Sequence, residues 1–329
     1  MTEPGIPAPR EDRLVVAPAS VADWAQVEEW AAGENWNPGL RDTACFHPTD
    51  PEGFFVGRLG GRPVSAVSVV RYSEGYAFLG HYLVRPALRG RGLGLATWQA
   101  AVPHAGSRTI GLDAVPEQEA TYRRSGFVAA YRSLRYGGRP PRRSAPPPPA
   151  GRLPAPLPAG RPPNAGPWSA DAPAPGQPPA DPSLADGVVR ERGALLDRVA
   201  AYDARCFPAE RRGFLGRWLA EPGHVAYVRL RGGVIRGYGV IRPARSGHRV
   251  GPLFADTPED AGALLDALLA HADPDSDVVV DVPEGHAAAR SLVEARGLVP
   301  GSYTVRMYAG EAPPTPAGRV FGGTSLELG

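Results

Sequence analysis

The fold is specified most clearly by residues 84–96, a run rich in glycine and arginine: Val84-Arg85-Pro86-Ala87-Leu88-Arg89-Gly90-Arg91-Gly92-Leu93-Gly94-Leu95-Ala96. An apolar strand pattern precedes this run and a helix pattern follows it. Glycines let the backbone bring successive N–H groups against an anion, a helix N-terminus adds partial positive charge, and arginines add full charge. The run lacks the Gly-Lys-Ser/Thr ending of a P-loop and does not fit the Gly-x-Gly-x-x-Gly dinucleotide fingerprint. It therefore predicts either a diphosphate site or a glycine turn that packs a helix on a sheet.

The residues around this run predict one α+β unit. Ser20 begins a helix in which Asp23, at the third helical position, completes a capping arrangement. Further helices are predicted at 93–104 and 117–125. Strands are predicted at 14–17, 54–59, 64–72, 76–84, 109–115 and 127–136. We therefore expect a sheet with helices on its faces.

The composition is that of a globular protein and names no partner. Of 329 residues, 43% are hydrophobic and 21% are charged, and no apolar run reaches the roughly 18 residues of a membrane span. A formal charge of +2 with interspersed signs indicates neither nucleic acid nor membrane as a partner. Cys45 and Cys206 are too few for a disulfide framework or a thiolate zinc site, so we expect buried cysteines and no metal. Residues 1–12 lack a secretory pattern, and a cytoplasmic protein is expected.

A proline-rich segment divides the chain. Residues 137–182 hold 17 of the 39 prolines and almost no periodic apolar pattern. This composition predicts a semi-stiff spacer or, alternatively, a polyproline segment that binds a partner. Because the chain exceeds the usual size of a single core, we predict a first domain at 1–136, a linker at 137–185 and a second domain at 186–329.

The second half repeats the element order of the first in weaker form. Residues 281–308 echo 113–136, since each stretch has an aspartate at a strand end, a Pro-Glu pair, a helix, a glycine and a strand. Helices are predicted at 191–202, at 214–219 and from Thr257 onward, and strands at 225–230, 234–243, 250–254 and 278–282. Tandem copies of one α+β unit are therefore expected.

The first half resembles the GCN5-related N-acetyltransferase (GNAT) family, whose pyrophosphate loop reads Arg/Gln-x-x-Gly-x-Gly/Ala after the fourth strand. Arg89, Gly92 and Gly94 match its fixed positions, and residues 122–127 are similar to the family's Tyr-x-x-x-Gly-Phe. The resemblance covers roughly residues 14–136. It implies an acetyl-CoA site in a mixed, mostly antiparallel sheet flanked by helices, with the fourth strand splayed from its neighbour. The residues that it assigns to the cofactor are Leu83, Val84, Arg89, Gly90, Arg91, Gly92, Leu93 and Gly94.

The second half looks like the C-terminal domain of YitH-type members of this superfamily, on residues 237–243, 251–256 and 321–329. At the position equivalent to the pyrophosphate loop it has Asp256 and Pro258 in place of glycines and arginine. A carboxylate there would repel a diphosphate, so the second domain is predicted to bind no CoA and to shape the acceptor pocket or stabilise the first domain.

Acyl transfer to an amine requires a neutral nucleophile, stabilisation of an oxyanion and a proton for the leaving thiolate. Tyr122 suits the last task because a phenol with a pKa of about 10 can protonate a thiolate, as the family's matching tyrosine does; alternatively it is a packed side chain. His81 is the best-placed base, as in some members, unless strand alternation points it into the core. Asp113 is expected to orient a helix N-terminus, and Trp36 to lie near the acceptor or in the core. The asparagine that many members have before the tyrosine is absent, which leaves that part of the cofactor site open.

The sequence thus predicts an enzyme that transfers an acetyl group from acetyl-CoA to an amine of a small molecule, directly through a tetrahedral intermediate. Two alternatives remain. One is an acetyltransferase that acts on a protein amine, and the other is a CoA-responsive binding or regulatory protein without turnover. Neither the acceptor nor the oligomeric state is specified.

Overall fold

The computed structural model of the chain describes residues 13–141, 178, 180–181, 184–314 and 317–329. Most of the predicted linker lies outside these residues, as do residues 1–12. None of the described helices combines the length and the apolar character that crossing a bilayer requires.

The first half has the predicted order of elements, with one additional short helix, α2. Ser20 caps α1: its hydroxyl accepts a hydrogen bond from the Asp23 N–H at 3.2 Å, and the Asp23 carboxylate accepts one from the Ser20 N–H at 2.9 Å. The elements are β1 (Val15–Pro18), α1 (Val21–Gly33), α2 (Asp42–Phe46), β2 (Phe54–Leu59), β3 (Arg62–Arg71), β4 (Tyr76–Val84), α3 (Leu93–Ala101), β5 (Thr109–Ala114), α4 (Glu119–Arg124) and β6 (Val128–Gly138).

The second half follows the same order. Its elements are β7 (Gly187–Glu191), α5 (Leu196–Asp203), α6 (Arg212–Ala220), β8 (Val225–Arg231), β9 (Val234–Pro243), β10 (His248–Ala255), α7 (Pro258–Leu269), β11 (Val278–Pro283), α8 (Ala287–Glu294), β12 (Val299–Ala309) and β13 (Val320–Gly322). The predicted helix at 191–202 is wrong at its beginning, because β7 pairs with β8 there. Val188 and Val189 favour a strand, and the Glu191 carboxylate accepts hydrogen bonds from the N–H groups of Gly193 and Leu195, which holds the chain in a turn before α5.

Strand β6 of the first half and strand β12 of the second half are exchanged. The strand order is β1-β2-β3-β4-β5-β12-β6-β11-β10-β9-β8-β7, and β13 pairs with β10. Strand β12 therefore lies beside β5 of the first half, and β6 lies beside β11 of the second. The predicted fold class, a mixed and mostly antiparallel sheet flanked by helices, is confirmed, but the two copies share one continuous sheet. The domain boundaries stay a prediction; the one at residue 136 falls inside β6.

Two reciprocal ion pairs connect the exchanged strands to their neighbours. Arg306 of β12 lies opposite Asp113 of β5, with Nε and Nη2 at 2.9 and 2.7 Å from the carboxylate oxygens. Arg135 of β6 lies opposite Asp281 of β11, with contacts of 2.8 and 3.1 Å. Instead of orienting a helix N-terminus, as expected, the Asp113 carboxylate is therefore buried against Arg306.

Helices of both halves share one hydrophobic core. Trp24 of α1, Phe46 of α2 and Trp218 of α6 are buried in it, and the rings of Phe46 and Trp218 stack with centroids 5.4 Å apart. The buried pair Asp42 and Arg242 joins the halves, with a carboxylate oxygen 2.9 Å from Nε. Both cysteines are buried, as predicted. The two halves thus pack as one unit.

Candidate active site

Strand β4 parts from β5 halfway along its length. Their parallel pairing ends at Leu79 and Leu112, although β4 continues to Val84. His81, just beyond this point, has a φ of +48°, and the register of β4 against β3 shifts there. Such a bulge bends a strand and increases its twist. A cleft opens between the two strands, and residues 80–84 form one of its walls.

The glycine-rich loop ends at the N-terminus of α3, at the mouth of this cleft. Gly92 is the N-cap residue with a φ of +76°, and no side chain of the described residues caps the helix. The first N–H groups of a helix have no partner within it, so those of Leu93 and Gly94 are available to an anion. A Cβ on Gly94 would lie 2.8 Å from the Tyr82 hydroxyl oxygen and 3.0 Å from Cγ2 of Val84. Glycine is therefore favoured at 92 by the backbone conformation, and at 94 it allows close packing against two side chains of β4.

The arginines of the loop have different surroundings. Arg89 Nε donates to the Val84 carbonyl oxygen at 3.1 Å, and its Nη2 binds the Glu34 carboxylate. Arg89 thus fastens the loop to the end of β4, and part of its charge is neutralised. Arg85 and Arg91 are exposed and have no ion pair within the part of the chain that the structure describes. Their positive charge remains beside the loop.

A cavity of about 960 Å³ extends from this loop to the contact between the halves. Every residue predicted to bind the cofactor or to catalyse lines it, except Arg91. Residues of both halves line this cavity, among them Trp36, Arg135, Tyr303, Leu326 and Glu327. The strand exchange thus places second-half residues beside the cleft of the first half.

Tyr122 lies on α4 with its ring among other aromatic rings. The centroids of Trp98, Phe127 and Tyr82 lie 5.7, 6.0 and 6.4 Å from its own. Its hydroxyl makes no hydrogen bond to a described residue. Burial raises the pKa of Tyr122 above its usual value. The phenol therefore stays protonated at neutral pH, and Tyr122 lines the cavity.

His81 is buried at the bulge, yet it also lines the cavity. Its ring centroid lies 5.2 Å from that of Trp24 and 6.4 Å from that of Trp36, and Nδ1 lies 3.4 Å from Ser68 Oγ. Burial lowers the pKa of His81, and the negative charge of Glu327 opposes this effect. The imidazole is therefore neutral at neutral pH and can accept a proton.

Glu327, which no sequence motif assigns to the site, lies in the same cavity. Its carbonyl oxygen packs so closely on β4 that a Cβ at Gly80 would lie 2.0 Å away. Its carboxylate is buried beside Arg249 and accepts a hydrogen bond from Ser325. No spacing or periodicity connects residue 327 with His81, so no signal in the sequence could have indicated this proximity.

Known proteins match both halves of the chain. A family model described as "Acetyltransferase (GNAT) family" matches residues 21–127, and one described as "Acetyltransferase (GNAT) domain" matches residues 199–322. The holothin acyltransferase of Pseudoalteromonas sp. (strain SANK 73390) is 31% identical over 312 residues, which are 95% of this chain and 93% of that protein. The chain belongs to the GNAT family. The prediction of an acyltransferase is thereby confirmed.

Solved structures have the same fold as this GNAT protein. A putative acetyltransferase from Pyrococcus horikoshii has a TM-score of 0.69 at 19% identity, and the match covers 100% of this chain and 99% of that one. A tandem GNAT protein from the clavulanic acid biosynthesis pathway has a TM-score of 0.54 at 17% identity, over 91% of this chain and 100% of that one. At these identities the similarity concerns the fold alone.

The place equivalent to the cleft is filled in the second half of this GNAT protein. Strand β13 pairs with β10 at Leu253, beyond Val250, where the pairing of β10 with β11 ends. The N-terminus of α7 is capped by Thr257, whose hydroxyl accepts a hydrogen bond from the Asp260 N–H at 3.2 Å. In the second half, β13 and the Thr257 side chain therefore bind the backbone groups whose counterparts in the first half are available to a ligand.

Proposed function

We propose that this protein is an N-acetyltransferase that transfers an acetyl group from acetyl-CoA to an amine of a small molecule. The observation that carries the proposal is the cleft between β4 and β5, which leads from an uncapped helix N-terminus to a cavity lined by Tyr122 and His81. One end of this cavity suits a diphosphate, and the interior suits proton transfer.

The loop end of the cavity fits the diphosphate of CoA. The N–H groups of Gly92, Leu93 and Gly94 would bind phosphate oxygens, with the charge of Arg91 nearby. Further in, none of the described strands pairs with residues 80–84 on the β5 side, so their N–H and C=O groups match the amides of the pantetheine arm. When bound, acetyl-CoA supplies the acetyl group as a thioester.

His81 and Tyr122 suit the two proton transfers of the reaction. The amine loses a proton as its nitrogen bonds to the acyl carbon, and the sulfur gains one as the C–S bond breaks. The neutral His81 can accept the first proton, and the protonated Tyr122 can supply the second. Backbone N–H groups at the unpaired edge of β4 can stabilise the charge that develops on the carbonyl oxygen.

Lining residues outside the loop support a small molecule as the acceptor. Trp36 forms an aromatic wall, and Arg135, Tyr303 and Glu327 add polar groups. Because one relative is named a holothin acyltransferase, holothin is the first acceptor to test. We also infer that the second half, similar to YitH-type members, binds no CoA and shapes this part of the cavity; the position of β13 supports this role.

Calorimetric titration with acetyl-CoA tests the cofactor assignment. We expect one site per chain of micromolar affinity, and its loss in Gly92→Glu, which places a carboxylate at the helix N-terminus. Gly61→Glu is the matched control, because Gly61 has a φ of +78° against +76° at Gly92 and a Cβ at either position has no atom within 4 Å. The control should therefore carry the same backbone strain and still bind.

Thiol release in the presence of holothin and a panel of small amines then tests turnover. Absence of acetyl-CoA binding by the wild type would overturn the proposal, and two sites per chain would overturn the role given to the second half. Binding without release for any amine would favour a regulatory protein, and release with peptide amines alone would favour a protein acetyltransferase.

A further inference from the structure

Glu327 lies where the end of the chain meets the bulge of β4. Its carbonyl oxygen packs on Gly80, the residue before His81, and both Glu327 and His81 line the cavity. The side chain of Glu327 is buried, with 5% of its surface exposed. A carboxylate in such surroundings exerts its charge with little screening by water.

The carboxylate is held in place and kept ionised. Ser325 donates a hydrogen bond to Oε2, and Arg249 Nη1 lies 3.4 Å from Oε1. Arg249 makes its shorter contact, 2.8 Å, with Asp281, so it neutralises Glu327 only in part. Burial favours the neutral acid, but the positive charges of Arg249 and of a protonated His81 lower the pKa of Glu327 to about 2. Glu327 is thus a poor proton acceptor and a permanent negative charge.

The groups around His81 make Glu327 its main charged partner. Ser68 lies at Nδ1, two tryptophan rings face the imidazole, and Nε2 has no hydrogen-bond partner among the residues described. Of the two carboxylates that act on the ring, Glu327 has the larger influence and Asp42 the smaller. Asp42 is also bound by Arg242, at 2.9 and 3.3 Å. The negative charge that can stabilise a protonated His81 is therefore chiefly that of Glu327.

We propose that Glu327 is a positioning residue that makes His81 an effective proton acceptor, a role that rests on the proposed function. As the amine nitrogen bonds to the acyl carbon, its proton passes to Nε2 of His81. The C–S bond breaks, and the sulfur takes a proton from Tyr122. The carboxylate of Glu327 stabilises the imidazolium formed in this step. The imidazolium then loses its proton to solvent, and Tyr122 regains one.

The pKa of His81, measured by NMR titration of histidine-labelled protein, tests this role without an acceptor; His81→Gln assigns the signal. Glu327→Gln should lower the pKa of His81 by about one unit or more. Glu327→Asp, which keeps the charge, should retain most of the wild-type value. Glu191→Gln is the matched control, because Glu191 is also buried but lies outside the cavity. An unchanged pKa in Glu327→Gln overturns the inference.

Turnover with an acceptor found by thiol release provides the catalytic test. Glu327→Gln should lower kcat about tenfold or more and move the acidic limb of kcat/KM to lower pH, with an unchanged KM for acetyl-CoA. Combined with His81→Gln, it should cause no further loss. If Glu327→Gln leaves the acidic limb of kcat/KM unmoved, or lowers only the stability of the protein, this role is overturned and the proposed function stays intact. A wild type without turnover overturns the proposed function itself.

Discussion

The carbonyl oxygen of Glu327 packs directly on the backbone of Gly80, so closely that a Cβ at position 80 would lie 2.0 Å from it. Position 80 precedes the bulge at His81, where the cleft opens. Glycine is the residue that allows the end of the chain to lie on β4 at this point. The shape of the cleft therefore depends on the last residues of the chain as well as on the first half.

Gly80→Ala should displace the chain end from β4. The clashing atom belongs to the backbone and cannot rotate away, so we expect a loss of about 1–3 kcal/mol in the free energy of unfolding. Turnover and the affinity for acetyl-CoA should both fall, because residues 80–84 form one wall of the cleft. Denaturant unfolding and calorimetry measure these quantities. Gly75→Ala should be nearly neutral, since a Cβ there meets no atom within 4 Å; equal effects of both variants would contradict the contact.

Tyr122→Phe should lower kcat about a hundredfold, because the leaving sulfur loses its proton donor. The KM for acetyl-CoA and the free energy of unfolding should change little, since the hydroxyl has no hydrogen-bond partner in the described chain. Steady-state thiol release is the measurement. Tyr76→Phe is the control, because it removes a buried hydroxyl that has no hydrogen-bond partner among the described residues and lies outside the cavity. Full turnover by Tyr122→Phe would exclude the phenol from the chemistry.

Asp42→Asn should lower the free energy of unfolding by about 3–5 kcal/mol, because the buried guanidinium of Arg242 loses its charged partner. Urea unfolding should still show a single transition, since the halves share one core. Asp197→Asn removes an exposed pair with Arg212 and should cost less than about 1 kcal/mol. Two separate transitions in the wild type would contradict a single packed unit.

Acid should destabilise the protein partly through His224. Its ring packs on Trp218, and Nδ1 lies 2.9 Å from the Trp218 carbonyl oxygen. Burial and the charge of Arg242 lower its pKa from 6.5 to about 4. The unfolded chain then binds a proton that the folded chain does not. The free energy of unfolding should therefore fall by about 3 kcal/mol as the pH drops from 6.5 to 4.

Urea unfolding at several pH values measures this contribution. His224→Asn, which keeps a hydrogen-bond donor but cannot titrate, should flatten the dependence between pH 6.5 and 4. A slope equal to that of the wild type would show that another group is responsible.

Local features of the fold and site could be predicted because they depend on residues close together in the chain. Ser20 and Asp23 form their capping box within one helical turn. The positive φ at position 92 favours glycine regardless of the residues around it. The alternation of apolar and polar residues along each strand, and the glycine-rich loop before α3, likewise depend on short stretches of sequence. The error at 191–202 has a different origin, since the pairing of β7 with the distant β8 and the hydrogen bonds of Glu191 outweighed a helical pattern.

The partners of the exchanged strands are decided by packing over long distances. Strands β6 and β12 both follow a short helix and a glycine, so their patterns do not say which neighbour each takes. In the folded chain the pairs Arg306–Asp113 and Arg135–Asp281 connect them to the opposite halves. The same packing brings Glu327 to His81 across most of the chain, because buried contacts depend on shape and charge in three dimensions and leave no periodic trace in the sequence.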